Sequence, residues 1–477
     1  MKNIVKIIQS ETTNYSDKLA IIDGKHKVTY AELLTAIDMM SKELKKLSVK
    51  TAKRVALLCE DSIDYVILSL AVLKISAVIV PIPFASSKEE IEGVLKEMKI
   101  DFLIFEKGLY TYSKAKHLKI SSGLDKEFLL LCRPLALNPP RKFSSMNPAF
   151  IRFSSGTTGV RKGVIISHEA IMQRTEAANK GLQVTSDDTI LWVLSMSFHF
   201  VVTILLFLRR GATIILAGNV FPEGLLGALR EYRPSFVYAS PLHYHLLSSL
   251  DAVPRTALAK VRIAVSTAVK LPFEIAKMFR AKFGFELSEA YGIIEVGLPF
   301  INMSQAISKR GSVGRILPDY QIKIINQDSM GAGEICLKGQ GFFSTYFSPW
   351  KSTEDILKGG WFNTGDIGRL DKDGFLFLVG RANNIINYCG MKIFPYEVES
   401  IINQHPAIKE SLVFGISHPQ YGQLPSAKIV LQNTETNFDA NELRRFCYQR
   451  LAPYKVPKEF YCVSRLDKTP SGKPKRQ

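Results

Sequence analysis

Short apolar strand-like runs alternate with helix-like segments through roughly the first three hundred residues, and this narrows the fold more than any other feature. Arg54-Val55-Ala56-Leu57-Leu58 reads as a buried strand, and Ile63 to Lys74 follows with the length and apolar density of a covering helix. Repeated in this order, such pairs imply parallel sheets covered by helices. From about Ile301 to Val379 the pattern changes to short strands separated by turn signals, such as Gly331-Ala332-Gly333 and Asp371-Lys372-Asp373-Gly374. That change predicts a small β-rich subdomain. Beyond the polar Ala382-Asn383-Asn384, helices over 397–404 and 441–451 and strands over 411–414 and 427–431 predict a compact α+β domain. The expected architecture is α/β, with a large N-terminal domain (1–381) of parallel sheets, helices and the β-rich subdomain, then a small α+β C-terminal domain (382–477).

The chain has 477 residues, of which 46% are hydrophobic, ample for sizeable cores. Its start, Met1-Lys2-Asn3-Ile4-Val5-Lys6, lacks the apolar core of a signal peptide, and the six cysteines are scattered with no Cys-x-x-Cys pair, so a cytoplasmic location is expected. The stretch from Ile190 to Leu208 is the one membrane-like candidate. Ser195, Ser197, His199 and Thr203 interrupt it and Arg209-Arg210 end it, so it reads as a buried strand–helix unit rather than a span. A net charge of +18 asks for anionic partners. No long basic block, zinc-finger spacing or aromatic–basic motif points to nucleic acid, while peripheral contact with an anionic membrane remains open.

The densest chemical signal is Phe153-Ser154-Ser155-Gly156-Thr157-Thr158-Gly159-Val160-Arg161-Lys162-Gly163. Glycines let a backbone approach an anion closely, hydroxyls and N–H groups donate to it, and Arg161 and Lys162 compensate its charge. Apolar runs on both sides (148–153 and 164–166) clamp the ends, against a merely flexible Ser/Thr/Gly loop. The spacing differs from Gly-x-x-x-x-Gly-Lys-Ser/Thr, so this is not a Walker phosphate loop.

The segment instead resembles the signature of the adenylate-forming superfamily, which holds acyl- and aryl-CoA synthetases, peptide-synthetase adenylation domains and luciferase. Four further segments match in order: Ser288-Glu289-Ala290-Tyr291-Gly292-Ile293-Ile294-Glu295; Trp361-Phe362-Asn363-Thr364-Gly365-Asp366; Gly380-Arg381 with Gly390-Met391-Lys392 to Glu399; and Thr469-Pro470-Ser471-Gly472-Lys473. Weaker echoes, including Val28-Thr29-Tyr30-Ala31-Glu32-Leu33, extend the resemblance along essentially the whole chain.

The resemblance implies an acid–thiol ligase using ATP, Mg²⁺ and a small-molecule carboxylic acid, with CoA as acceptor. Ser154, Ser155, Gly156, Thr157, Thr158, Gly159 and Lys162 would embrace the β- and γ-phosphates, and Glu295 would hold Mg²⁺. Tyr291 offers a flat ring to adenine, Asp366 two acceptor oxygens to the ribose, and Arg381 a fixed charge near ribose and phosphate. For Asp366 a turn role before the β-rich strands stays open. In this family the C-terminal domain is mobile and swings between two poses, pivoting near Asn383. One pose brings Lys473 to bridge carboxylate and α-phosphate; the other admits the pantetheine arm past Gly390, with Lys392 where the family often has a phosphate-facing cation.

Two positions and one segment depart from the family pattern. Asn383 replaces the usual Asp or Lys, Ile294 the usual Thr, and Ser266-Thr267-Ala268-Val269-Lys270-Leu271 a smaller Gly-Gly-Ala-Pro-type adenine loop. Ile294 and Asn383 keep a nucleotide-binding pseudoenzyme as an alternative, while the bulkier loop implies a differently shaped nucleotide pocket. At the acyl site His199 stands where amino-acid-activating relatives have Asp, which favours an uncharged fatty or aryl acid, although a core histidine is an open reading. The +18 charge supports another alternative, loading of the acid onto the phosphopantetheine of an acidic carrier protein. His243-Tyr244-His245 has no third ligand beside it and reads as surface or core histidines.

Overall fold

The computed structural model describes residues 2–477 except 111–114, 121–125, 134–138, 141, 155–161, 218–221, 269, 304–307, 352, 389–390, 419–420, 434–437, 469–473 and 476–477. Two compact units are present, Met1–Gln321 with Gly339–Gly360, and Ile322–Lys338 with Trp361–Gln477. The β-strands just before Ala382 fall in the second unit, so a pivot at the 381/382 boundary remains an expectation about motion.

The first unit is built on two sheets. Among the described residues, nine strands form the first, in the spatial order Arg315–Ile316, Gly297–Asn302, Ser288–Ile293, Ile263–Ser266, Phe236–Ala239, Thr189–Trp192, Thr213–Leu216, Leu19–Asp23 and His26–Thr29. Its centre is parallel and its margins antiparallel. The second sheet has parallel pairing among Arg54–Leu58, Val78–Ile82 and Phe102–Glu106, as the apolar runs require. Ile63–Lys74 is a helix capped by the Ser62 side chain and buried from Ile63 to Leu73, consistent with its lack of a polar face. The segment Thr29-Tyr30-Ala31-Glu32 opens another helix with a capping box, and the buried Tyr30 hydroxyl donates to Ala212 O at 2.8 Å. The stretch from 190 to 208 is a strand followed by short buried helices, and no helix among the described residues is long and apolar enough to cross a membrane.

Seven elements of this unit position the site. Strand β1 is Pro148–Ser154, β2 is Lys162–Ser167, helix α1 is His168–Leu182 and α2 is Met196–His199. Strand β3 is Ser288–Ile293, β4 is Gly297–Asn302 and β5 is Thr345–Tyr346. The Ser167 hydroxyl accepts from Ala170 N at 3.1 Å, which starts α1 directly off the end of β2. Strand β2 lies between β1 and β5 in the second sheet, antiparallel to both.

In the second unit Gly333–Gly339 pairs antiparallel with β6 (Trp361–Leu370), and β6 with β7 (Leu376–Arg381). The expected β-rich stretch is therefore present, but its strands are shared out. Gly297–Asn302 and Arg315–Ile316 extend the nine-stranded sheet, and Thr345–Tyr346 joins the sheet of β2. A further sheet carries Ile386–Tyr388, Met391–Ile393, Ile408–His418, Gly422–Leu431 and Glu459–Cys462, packed with helices Pro395–Ile402 and Ala440–Tyr448 around Val398, Val413, Ile429 and Leu443. This is the α+β arrangement expected of the C-terminal part.

Close packing beneath β2 sets one test. A Cβ on Gly163 would lie 2.6 Å from Met98 Sδ, 3.1 Å from Ile151 Cγ2 and 3.2 Å from Phe347 Cβ. Gly163→Ala should lower unfolding stability in urea by about 1 to 3 kcal/mol through overpacking. An unchanged transition midpoint would mean that the strand has room to shift.

Candidate active site

Backbone pairing places Ser154 opposite Lys162 and Phe153 opposite Gly163. The seven residues between Ser154 and Lys162 thus join the ends of two paired strands. Of the residues expected to hold phosphate, Ser155, Gly156, Thr157, Thr158 and Gly159 lie outside the described residues, as does the Ser154 side chain.

Lys162 is half-buried at the start of β2, and its Nζ lies 5.5 Å from the centre of the Tyr346 ring, within range of a cation–π attraction. Tyr346 comes from β5, where it pairs with Val164. Its hydroxyl donates to Glu295 Oε1 at 3.1 Å. Burial, reinforced by the Glu295 charge, pushes the phenol pKa far up, so Tyr346 stays a protonated donor. Glu295 lies in the turn between β3 and β4, where its carbonyl accepts from Phe343 N at 2.7 Å. Two residues expected to act on phosphate and cation, Lys162 and Glu295, are therefore joined through one phenol. Tyr346 was not foreseen from the sequence. Its setting in Phe342-Phe343-Ser344-Thr345-Tyr346-Phe347 reads as core, and the one signal is a hydroxyl among phenylalanines.

The Glu295 carboxylate is a half-buried hard oxygen donor, which suits Mg²⁺. Tyr291 is buried in β3 and its ring packs 6.0 Å from Phe300. In the adenine-loop segment, Ala268 takes φ +73°, a left-handed conformation costly for any residue with a Cβ. His199 ends α2, half-buried, with its ring edge-on to Trp192 at 6.3 Å. His243 is anchored by the Ser240 hydroxyl at 2.8 Å, and burial lowers its pKa to about 4. Among the described residues no group of three or more His, Cys, Asp or Glu is placed to hold a metal.

In the second unit Asp366 is buried within β6 and faces Arg381 of β7 in register, with Arg381 Nε 2.7 Å from Asp366 Oδ1. The two residues expected near the ribose form one ion pair. Asn383 is exposed in a single 3₁₀ turn, Ala382–Asn384. Gly390, Lys473 and the Lys392 side chain lie outside the described residues.

Residues 8–347 match the family of AMP-binding enzymes, and residues 397–473 match the C-terminal domain of the same enzymes. The chain belongs to the AMP-binding enzyme family. Its relatives include an oxalate–CoA ligase of Arabidopsis thaliana, 27% identical over 99% of this chain and 96% of that protein. A long-chain-fatty-acid–CoA ligase of Mycobacterium tuberculosis is 25% identical over 99% of this chain and 97% of its own. The crystal structure of o-succinylbenzoate CoA synthetase from Bacillus subtilis, complexed with its acyl-adenylate intermediate, shares the fold with a TM-score of 0.83 at 24% identity, covering 100% of this chain and 97% of that one.

The helix turn that carries His199 is anchored by a carboxyl whose protonation affects stability. Asp61 Oδ2 accepts from Met196 N at 2.9 Å and so holds the first turn of α2. Burial, with Glu60 and Asp23 adding like charge, pushes the Asp61 carboxyl up to about 7, against the pull of the Met196 bond. A carboxyl raised in the folded state binds its proton more tightly there than in the unfolded chain, so stability falls as pH rises from about 4 through 7. Asp61→Asn keeps an oxygen acceptor and removes the titration. Relative to the parent, the variant should be nearly equal in stability at pH 4 and more stable at pH 8 by on the order of 1 to 2 kcal/mol after allowing for partial solvent access. Parallel stability curves across that range would contradict the assignment.

Proposed function

We propose that this enzyme is an ATP-dependent acid–thiol ligase that converts a carboxylic acid, fatty or aryl, into its acyl-adenylate and passes the acyl group to CoA. The observation that carries this reading is the line of Lys162, Tyr346 and Glu295 at the end of the strand pair flanking the phosphate-type segment. A cation and a carboxylate held apart by a buried phenol are a pre-set arrangement for a polyphosphate and its divalent ion.

In the first half-reaction a carboxylate oxygen attacks the α-phosphorus and pyrophosphate leaves. In the second the thiolate attacks the acyl carbon and AMP leaves. Both reactants of the first step are anions, so the barrier falls by positioning and charge neutralisation rather than by a protein nucleophile. Lys162, with Ser154 to Gly159, supports the β- and γ-phosphates. Glu295 would hold Mg²⁺, which when bound neutralises charge developing on the departing pyrophosphate. Lys473 bridges carboxylate and α-phosphate, Asp366 and Arg381 address the ribose, and Tyr291 backs the adenine. His199 lies at the mouth of the acyl site. Asn383 is the pivot, and Gly390 and Lys392 line the acceptor's approach.

The named relatives act on oxalate and on long-chain fatty acids at similar identity, so the particular acid has to be measured. A panel of acids assayed by pyrophosphate release, with CoA and separately with carrier proteins, decides acid and acceptor together. CoA-dependent turnover of a fatty or aryl acid is expected. Turnover with a carrier protein alone would move the reading to a loading enzyme, an alternative to which the +18 charge gives some weight. ATP binding without turnover of any acid would indicate a pseudoenzyme. Lys473→Ala should cut adenylate formation about a hundredfold or more and leave thioester formation from supplied acyl-adenylate largely intact. Equal loss in both half-reactions would remove Lys473 from the catalytic role.

A further inference from the structure

Arg174 belongs to none of the motifs that pointed to function. It lies on the buried face of α1, between Ile171 and Ala178, and is 1% exposed. Its guanidinium donates to backbone carbonyls of two separate segments. Nε and Nη2 reach Gly341 O at 2.9 and 2.6 Å, Nη1 reaches Ile294 O at 3.1 Å, and Nη2 also reaches Glu295 O at 3.4 Å. The Gly341 segment is drawn against α1 from the other side as well, since Gly341 N donates to the Gln173 side chain at 2.9 Å. Gly341 has φ +73°, and a Cβ there would lie 2.8 Å from Arg174 N and 3.1 Å from Ala170 O. Only glycine fits so close an approach.

A buried cation carries a heavy desolvation cost, which makes Arg an expensive choice for a structural filler. What it gains here is geometry. A planar fork of donors fixes carbonyls at set directions, where an ammonium would reach them one at a time. Burial draws the Arg174 pKa down to about 10, with Tyr320 and Glu295 opposing that fall, so the group is charged at neutral pH. The Glu295 side chain is held independently by the Tyr346 hydroxyl, five residues beyond Gly341. Backbone and carboxylate of Glu295 are thus fixed from two directions, its carbonyl by Arg174 Nη2 and Phe343 N and its carboxylate by Tyr346.

We propose that Arg174 is a positioning residue for the adenylation reaction: by bracing Ile294, Glu295 and Gly341 it sets the Glu295 carboxylate against Tyr346 and so governs affinity for the divalent-cation complex of ATP. This rests on the reading of Glu295 as the cation-holding residue. The test compares Arg174→Met, Arg174→Lys and Glu295→Gln by calorimetric binding of MgATP and of ATP in excess chelator, alongside circular dichroism and the kinetic constants. Glu295→Gln should weaken MgATP binding tenfold or more and leave chelated ATP nearly unaffected. Arg174→Met should do the same and raise KM for MgATP without raising KM for the acid, and Arg174→Lys should recover part of the loss. In the double variant the Arg174 change should cost no further cation-dependent affinity, because its effect passes through Glu295. Should Arg174→Met not fold, Arg174→Lys alone carries the comparison, with a weaker but still cation-dependent loss expected. Lowered stability with MgATP binding unchanged would reduce Arg174 to a structural role and overturn the proposal. Unchanged MgATP binding in Glu295→Gln would instead remove the cation reading of Glu295 itself, and the proposal with it.

Discussion

Backbone hydrogen bonds on one side of β2 bring Ser154 opposite Lys162, and those on its other side bring Tyr346 beside the same strand. The chemistry proposed for the first unit depends on that three-strand arrangement. Register in a sheet has period two, so a slip by one residue would turn Lys162 to the opposite face and separate it from the Tyr346 ring. Packing opposes such a slip. Strand β2 is buried from Gly163 onward, and Gly163 sits where Met98, Ile151 and Phe347 leave no space for a side chain. The site is therefore assembled by the same contacts that form the core of the second sheet.

Around this arrangement the site is electrically layered. An ammonium lies over one aromatic face, a hydroxyl on that ring addresses a carboxylate, and a buried guanidinium braces the backbone that carries the carboxylate. In a partly desolvated setting each of these contacts is stronger than it would be in water, and each also restrains its neighbour. These contacts hold the side chains in a set geometry, which suits catalysis by positioning and by neutralising charge. In the second unit the Asp366–Arg381 pair plays a similar part by locking a buried carboxylate in register with its partner strand.

Local signals in the sequence carried most of the secondary structure. The apolar run at 54–58 and the helix-length stretch at 63–74 form the expected elements because their burial leaves few alternatives. Sheet membership was harder to read. Short strands between 301 and 379 announce themselves by alternation and turns, but nothing local says that Thr345–Tyr346 joins β2 rather than its neighbours in sequence. That non-local pairing is why Tyr346 was missed. Arg174 left a fainter trace, a strongly basic residue in helical spacing with Ala170, Ile171, Ala177 and Ala178. Lys162 stands out because glycines, hydroxyls and charges concentrate in the segment it closes, whereas Glu295 is singled out only by the resemblance of Ser288 to Glu295 to a family motif; the roles of both are proposals.

The central claim is that a carboxylate oxygen of the substrate attacks the α-phosphorus of ATP. Turnover of an acid labelled with ¹⁸O in both carboxyl oxygens, followed by mass analysis of the nucleotide and phosphate products, tests it directly. Attack at the α-phosphorus leaves one labelled oxygen on AMP and none on pyrophosphate, since the bridging oxygen of the acyl-adenylate departs with AMP when the thiol takes the acyl group. Label in inorganic phosphate with ADP as the nucleotide product, or unlabelled AMP, would contradict the account.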